Sequence, residues 1–466
     1  MRLLAFRKRL FRAQRKGEVM QEIKVIIGAS YGDEGKGLAT DYFGAKAAAQ
    51  TACHSAEKTA VSRVPLLSAA EHPSSGIINV LTNGGPQRGH TVELKNGRRH
   101  VFKHFGSAAF RGAASYFDRQ FMINPMEFMR EYDELAAEGT APAAYMHPDC
   151  RFTTPWDMIA NQVLQEKRGL HNSCGFGIWE TVLRYQRGWG IPFHSFANMS
   201  REDKITYLRR IRDIYFAKRI REIQETGENE NEAAAGTSTF AGLAAKESAN
   251  VQLTLKEIAG LPDYFFSEDL LFHFDEDCES MRILCPMLAE TFLKRFQTIL
   301  FENAQGLLLD GNSKDQEAFT TPSTTGIGRV FQTVENVFEN ADVEVCYVTR
   351  SYLTRHGDGT MEHEIAPAEL KKQLPGVCAD LTNVENCFQG RLRYGKMDTD
   401  LLTARILSDF AHCEGAARNR FRPSLMVTHL NEYACIDTDL AADHFGTLYL
   451  SDGRTADHVT ACRIRA

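Results

Sequence analysis

The stretch GASYGDEGKGLATDYF, residues 28–43, follows the apolar run Ile23–Ile27 and sets Asp33, Glu34 and Lys36 among glycines. Strand, glycine turn, lysine and helix start, in that order, suit phosphate binding. Backbone N–H groups at Gly32, Gly35 and Gly37 can approach an anion, and the helix that follows adds its dipole. The match to a P-loop is incomplete, because that motif needs Gly at position 30 and a hydroxyl after the lysine, where this chain has Ser30 and Gly37. Asp33 supplies a hard anionic oxygen instead, which suits Mg²⁺. The competing reading is an ordinary glycine-rich turn with solvated charges.

Three further stretches carry chemistry-capable side chains. NGGPQRGHTVEL, residues 83–94, sets His90 between Gly89 and Thr91 just beyond a second apolar run, Ile77–Leu81. An imidazole there can stabilise developing phosphoryl charge, although a lone histidine is more often structural. NAQGLLLDGN, residues 303–312, brackets an apolar run with Gln305 and Asp310. FTTPSTTGIG, residues 319–328, concentrates hydroxyls and glycines as a phosphate or sugar contact does, and as plain turns also do.

Something must position these groups. Candidate buried strands at Ile23–Ile27, Ile77–Leu81, Gly306–Leu309, Val343–Val348 and Leu425–Val427 alternate with helical stretches such as Pro125–Ala137 and Ala289–Glu302. That alternation predicts an α/β fold with a mainly parallel sheet covered on both faces, and ligands at the carboxyl ends of its strands. With 466 residues the chain can bury a large core, and a net charge of −6 argues against a general nucleic-acid-binding surface. Eleven scattered cysteines without a CxxC pair favour reduced thiols and a cytoplasmic compartment. No apolar run approaches the roughly 20 residues that cross a bilayer, so no membrane partner is expected.

Residues 1–19 are basic and read either as a disordered tail or as a targeting extension, with the catalytic unit over 20–466. Residues 50–76 look like an insertion, and the acidic, Ala/Gly/Ser/Thr-rich segment 224–249 reads as a surface loop.

In order along the chain these stretches resemble the adenylosuccinate synthetase family. Its aromatic-G-D-E-G-K-G pattern is matched by Tyr31–Gly37, its G-G-x-x-x-G-H-T by Gly84–Thr91 and its A-Q-G-x-L-L-D by Ala304–Asp310. Weaker matches follow at Thr320–Gly326, Tyr352–Gly359, Gly390–Arg393, Thr428–Asn431 and Ser451–Arg454. The resemblance implies a P-loop-like nucleotide ligase working with Mg²⁺. A nucleoside triphosphate, GTP in the family, phosphorylates the 6-oxygen of IMP, and the amino group of aspartate then displaces phosphate. Asp33 matches the family's base and metal ligand, and the Gly89 carbonyl joins the metal shell. His90 matches the second catalytic residue, Lys36 sits against the donor phosphates, and Gln305 and Thr320 contact the purine nucleotide. By the same resemblance Glu34, Thr91, Ser173, Cys174, Thr428, Asn431, Ser451 and Gly453 belong to the nucleotide sites, and Arg391 and Arg393 serve the amino acid and ribose. A homodimer is implied, with Arg184 or Arg187 lent across its interface.

The departures bear on substrate choice. Ser173, Cys174 and Phe176 stand where the family has two threonines and an arginine; Asn386, Cys387, Phe388, Gln389, Gly390 and Arg391 stand for its A-T-T-G-R loop, and Gln87 replaces an asparagine. Asn431 stands where the family reads guanine with an aspartate, and an amide both donates and accepts where a carboxylate only accepts. The alternatives are a related ligase with another purine nucleotide, amine or ATP/dATP donor, or a catalytically silent nucleotide-binding paralogue.

Overall fold

Buried on both faces, the strand Glu22–Gly28 (β1) starts the central sheet. The structure is a computed structural model that describes residues 21–58, 76–168, 174–225, 263–311, 320–377, 390–434 and 444–463. The basic extension, Ser173, residues 386–389 and nearly all of the loop at 224–249 lie outside the described residues. Of the proposed insertion at 50–76, residues 50–58 continue the helix Lys36–Lys58 (α1), Gly76 precedes the next strand, and the remainder lies outside.

The other strands of the sheet, in chain order, are Ile77–Leu81 (β2), Ala114–Phe117 (β3), Ala144–Met146 (β4), Thr298–Gly306 (β5), Asp342–Arg350 (β6), Arg420–Thr428 (β7), Thr447–Ser451 (β8) and Val459–Arg463 (β9). They lie side by side as β9-β8-β7-β6-β1-β5-β2-β3-β4, and every neighbouring pair is parallel except β8 with β9. The expected mainly parallel α/β sheet is therefore present. Its central strands alternate between two cores, as the two-residue period of a strand requires. Ile23, Val25 and Ile27 of β1, Ile299 and Phe301 of β5, and Val343, Val345 and Tyr347 of β6 share one side with Val330, Val334, Leu402 and Ile406. Ile26, Leu300, Cys346 and Val348 share the other with Leu38, Ala39, Tyr42 and Phe43 of α1. A third, phenylalanine-rich core holds the helices Pro125–Ala137 (α2) and Pro155–Arg168 (α3) against the β3–β4 flank. Helix α2 starts where its capping residues dictate: the Asn124 side chain accepts from the Glu127 N–H at 3.2 Å, and Pro125 occupies the first turn.

Two expected elements are corrected. Ala289–Glu302 is not one helix, since 290–295 forms a short 3₁₀ turn and Thr298 begins β5. Gly306–Leu309 is not a strand; β5 ends at Gly306 and Leu307–Leu309 is again 3₁₀. The run TILF is apolar on both strand faces, because a central parallel strand is buried on both sides, and such a run carries no period to separate helix from strand. The shift has a consequence for the site. Gln305 lies near the end of a strand, not ahead of one.

Near that end β5 bulges against β1: Ile26 pairs with Glu302, yet Gly28 pairs with Gly306. The glycine turn then packs directly on it, and a Cβ on Gly306 would meet the Ser30 carbonyl at 2.3 Å and the Gly32 nitrogen at 2.7 Å. Both obstacles are backbone and cannot swing away. We expect Gly306→Ala to lower unfolding free energy by about 1–3 kcal/mol in urea titrations, the usual cost of overpacking. Gly415→Ala, where nothing lies within 4 Å of the added carbon, serves as the control that stays near wild type. Equal midpoints for the two variants would contradict this close approach.

Candidate active site

Five adjacent parallel strands, β2, β5, β1, β6 and β7, end on one edge of the sheet. The segments that leave them carry Asn83–Gly89, Gln305–Asp310, Ala29–Gly35, Ser351–Gly359 and His429–Asn431, so the separate sequence motifs converge there. A short hairpin, His90–Glu93 paired with Arg99–Phe102, folds over the start of α1. Gly37 permits this approach, since a Cβ there would meet the Thr91 carbonyl at 2.6 Å.

Within the glycine turn, the N–H groups of Ser30 and Gly32 donate to Oε1 of the buried Glu34 at 2.8 and 2.9 Å. The turn thus binds its own carboxylate. Gly32 and Gly35 have φ of 108° and 92°, which lets consecutive N–H groups point inward at little cost. The Lys36 ammonium donates to the Gly32 carbonyl at 2.5 Å and lies 3.8 Å from Glu34 Oε2. Burial dominates for both groups, pushing the Glu34 carboxyl up and the Lys36 ammonium down, while each charge opposes the shift of the other. Gln305 packs on this turn with a φ of 64°, a conformation rare for a residue with a side chain and one that concentrates at functional sites.

Asp33 points elsewhere. Its carboxylate is a quarter exposed, 3.7 Å from Nε2 of His356, while its backbone carbonyl accepts from Arg350. Cys174 lies nearby, its Sγ 3.7 Å from the Gln87 carbonyl. Burial, reinforced by the Asp33 charge, pushes its thiol up to about 12, so it is a neutral group beside the site and not a nucleophile. Phe176 packs on Met122, Ile178 and Val182, and the Lys103 ammonium sits 5.3 Å from its ring.

His90 is buried in a charged network. Its Nδ1 lies 2.5 Å from Oε1 of Glu302, which also receives Nη2 of Arg88 at 2.7 Å and the Ser107 hydroxyl at 2.5 Å. The Ser107 N–H donates to the other oxygen at 3.1 Å. Arg88 Nη2 is also 3.1 Å from His90 Nδ1, but both are donors once Nδ1 carries a proton, and the short contact to a carboxylate requires that proton. Burial and the Arg88 charge push the His90 ring down to about 3, hydrogen bonding to Glu302 opposing them. The ring is therefore neutral near pH 7. Glu302 is held well below the usual carboxylate range by Arg88 and His90 against its own desolvation.

The remaining expected residues fall into two groups. Near the converging loops, buried Thr428 places Oγ1 2.9 Å from the Glu34 carbonyl, Gly89 is exposed beside His90, and Thr91 follows in the hairpin. Buried Ser451 sits on the neighbouring strand end and bonds to the Gly453 carbonyl at 3.0 Å; Asn431 is exposed in the loop after β7. Thr320 is part-buried, Arg391 is exposed, and Arg393 is engaged by Glu364 and the Gly359 carbonyl, both at 2.8 Å. The two candidate interface arginines differ sharply. Arg184 has no exposed side-chain surface and is committed to Asp157 and the Phe152 carbonyl, at 3.0 and 2.7 Å from Nη2. Arg187 keeps 28% of its side chain exposed and pairs with Glu222 at 2.7 Å. Sequence reasoning missed Glu302, Arg88, Arg350 and His356. Glu302 stands three residues before Gln305 in FENAQG, and reading that run as the end of a helix hid it.

Glycine turn, buried lysine and histidine stand together at the carboxyl edge of a parallel sheet, the edge where α/β proteins place their binding loops. The adenylosuccinate synthetase family model matches residues 75–403, and the chain belongs to that family. The matched span begins after the glycine turn. The chain is similar to adenylosuccinate synthetase of Cyanothece sp., 24% identical over 362 residues that cover 76% of this chain and 64% of that protein. It is similar in the same way to the Methylibium petroleiphilum enzyme, 24% identical over 368 residues, with 76% and 65% covered. The match spans just under two thirds of the length of these relatives. Among solved structures, fully ligated adenylosuccinate synthetase of Plasmodium falciparum shares the fold at a TM-score of 0.54 and 14% identity, with 95% of this chain and 87% of that one covered. Succinoaminodeoxyadenylate synthetase of cyanophage S-2L, bound to dGMP and dATP as an energy donor, does so at 0.52 and 13%, with 96% of both chains covered.

Arg184 and Arg187 give a paired prediction. Arg184→Ala strands the buried Asp157 charge and should cost about 3–5 kcal/mol of unfolding free energy. Arg187→Ala removes a part-exposed ion pair and should cost about 1 kcal/mol or less. Chemical denaturation of both variants checks this, and a reversed order would overturn the assignment of Arg184 to the fold.

Proposed function

We propose that the protein is a purine-nucleotide ligase of the adenylosuccinate synthetase type. In this reading it transfers a phosphoryl group from a nucleoside triphosphate to the 6-oxygen of IMP and then replaces phosphate with the amino group of aspartate. The observation that carries it is the meeting of four motif residues, Asp33, Lys36, His90 and Gln305, on segments leaving adjacent strand ends in a member of this family. Nothing in an ordinary glycine turn calls for that combination.

The chemistry assigned to these residues follows from their state. Asp33, a quarter exposed at the strand ends, removes the purine N1 proton and makes O6 nucleophilic. O6 attacks the γ-phosphorus, the bond to the β,γ-bridging oxygen breaks, and the nucleoside diphosphate leaves. The Lys36 ammonium and the N–H groups at the start of α1 oppose charge on the transferring group. The amine then attacks C6, and the 6-phosphoryl oxygen departs with inorganic phosphate, a far better leaving group than hydroxide. Gln305, held at the bulge, orients the purine. The carboxylate of Asp33 and the carbonyl of Gly89 are hard oxygens of the kind Mg²⁺ takes alongside substrate phosphates, and the ion would neutralise phosphate charge when bound. Among the described residues no cluster of three or more His, Cys, Asp or Glu forms a metal cage. No described helix is long and apolar enough to cross a membrane.

A second reading concerns the nucleotides. Asn431 has no charge to offer guanine, its amide suits adenine equally, and the cyanophage relative is bound to dGMP and dATP as an energy donor. ATP or dATP is therefore the alternative donor, and a deoxyguanosine monophosphate the alternative acceptor. A homodimer with Arg187 as the lent residue is the assembly we infer, because Arg184 is already spent within its own chain.

The test crosses IMP and dGMP with aspartate and other amino acids and with GTP, ATP and dATP, reading phosphate release. Release that needs both a purine monophosphate and an amine is expected, and Asp33→Asn should lower it by about 10²–10⁴-fold in a folded protein. Turnover unchanged in Asp33→Asn would remove the mechanism. Tight nucleotide binding without any turnover would instead favour a silent paralogue.

A further inference from the structure

The buried network behind His90 reaches further than the residues assigned so far. Glu302 has no exposed side-chain surface, and its carboxylate is gripped from three directions: by Arg88, by the Ser107 hydroxyl and N–H, and by His90 Nδ1. An arrangement this saturated cannot rotate freely. Its fourth member, the imidazole, is the one that faces onward. No hydrogen bond to His90 Nε2 occurs among the described residues, nor is that atom buried and unsatisfied.

We propose that Glu302 is the positioning residue of this site: it holds the proton of neutral His90 on Nδ1 and so presents Nε2, with its lone pair, to the ligand. The proposal rests on the functional reading above and adds what that reading lacks, namely what orients the imidazole. A neutral imidazole has one donor and one acceptor nitrogen, and the partner at one nitrogen decides the other. A carboxylate at 2.5 Å accepts only, so Nδ1 must be the donor. With Nδ1 tied to Glu302 the ring has one orientation, and Nε2 is the nitrogen left to the ligand.

Arg88 and Ser107 have their own part in this account. They neutralise Glu302 enough to keep it buried and fix which lone pair meets the ring. Leu81 of β2 lies opposite Glu302 in register, so the carboxylate stands on a central strand at its last regular pairing, just before the bulge, and not on a loop. A carboxylate oriented from such a strand holds an imidazole more closely than one carried by a mobile segment.

The experiment is ¹⁵N spectroscopy of histidine-labelled protein, with His90 assigned by its loss in His90→Gln, alongside steady-state kinetics. Wild type should show one tautomer, with the proton on Nδ1. Glu302→Gln should yield a mixed or Nε2–H tautomer and lower kcat by about 10²–10⁴-fold while KM for both nucleotides stays within about twofold, as loss of a tautomer-setting carboxylate does elsewhere. If the amide variant does not fold, Glu302→Asp carries the same test, with a partial tautomer shift and a smaller loss expected. A proton on Nε2 in ligand-free wild type, or a wild-type tautomer and kcat in the folded variant, overturns the proposal. Absence of turnover in wild type with every substrate would overturn the ligase reading alone, because the nitrogen spectra still report what Glu302 does to the ring.

Discussion

The glycine turn after β1 and the bulged end of β5 approach so closely that neither tolerates a side-chain carbon at the contact. A Cβ on Gly28 would fall 2.6 Å from the Gln305 carbonyl, and one on Gly32 would fall 3.2 Å from the Gln305 Cα. The rest of the site depends on this contact. It sets Gln305 in its left-handed conformation, brings β5 close enough for Glu302 to reach across to the hairpin, and fixes the turn that orients Asp33 and Lys36. Parallel pairing of β1 with β5 on one side and β6 on the other holds the two backbones in register.

Against that frame the structure buries two sets of charges. Glu34 and Lys36 close the turn on itself, and Glu302 with Arg88 holds the histidine hairpin. Buried ion pairs of this kind are poor sources of stability, since desolvation consumes much of the Coulombic gain. They make sense as devices that fix position. The Glu34 carboxylate takes the N–H groups of Ser30 and Gly32 and leaves the later N–H groups of the turn outside that contact. The carboxylate within the turn also offsets the burial of the lysine charge.

Much of the architecture was legible in the residues. Alternating strand and helix signals gave the parallel α/β sheet, and the helix expected over Pro125–Ala137 runs as expected. The errors cluster where period is lost. TILF looks the same to a helix and to a doubly buried strand, and the misread boundary moved Gln305 from one end of a strand to the other and concealed Glu302. The choice between Arg184 and Arg187 was equally illegible, because burial of one and exposure of the other arise from α3, which delivers Asp157 from 27 residues away. Spacing carries no trace of such a tertiary pairing. Substrate choice is the least legible feature, because the identities of Cys174, Phe176 and Asn431 do not by themselves translate into a preferred nucleotide.

The central claim is that a purine 6-oxygen becomes a phosphoryl acceptor and leaves as phosphate. Labelling that oxygen tests it without reference to any particular residue. With [6-¹⁸O]IMP, or the corresponding labelled guanosine monophosphate if the assays select it, the account predicts that the ¹⁸O atom appears in inorganic phosphate, one label per product formed. Recovery of unlabelled phosphate, with the ¹⁸O retained in the nucleotide or lost to water, would contradict it.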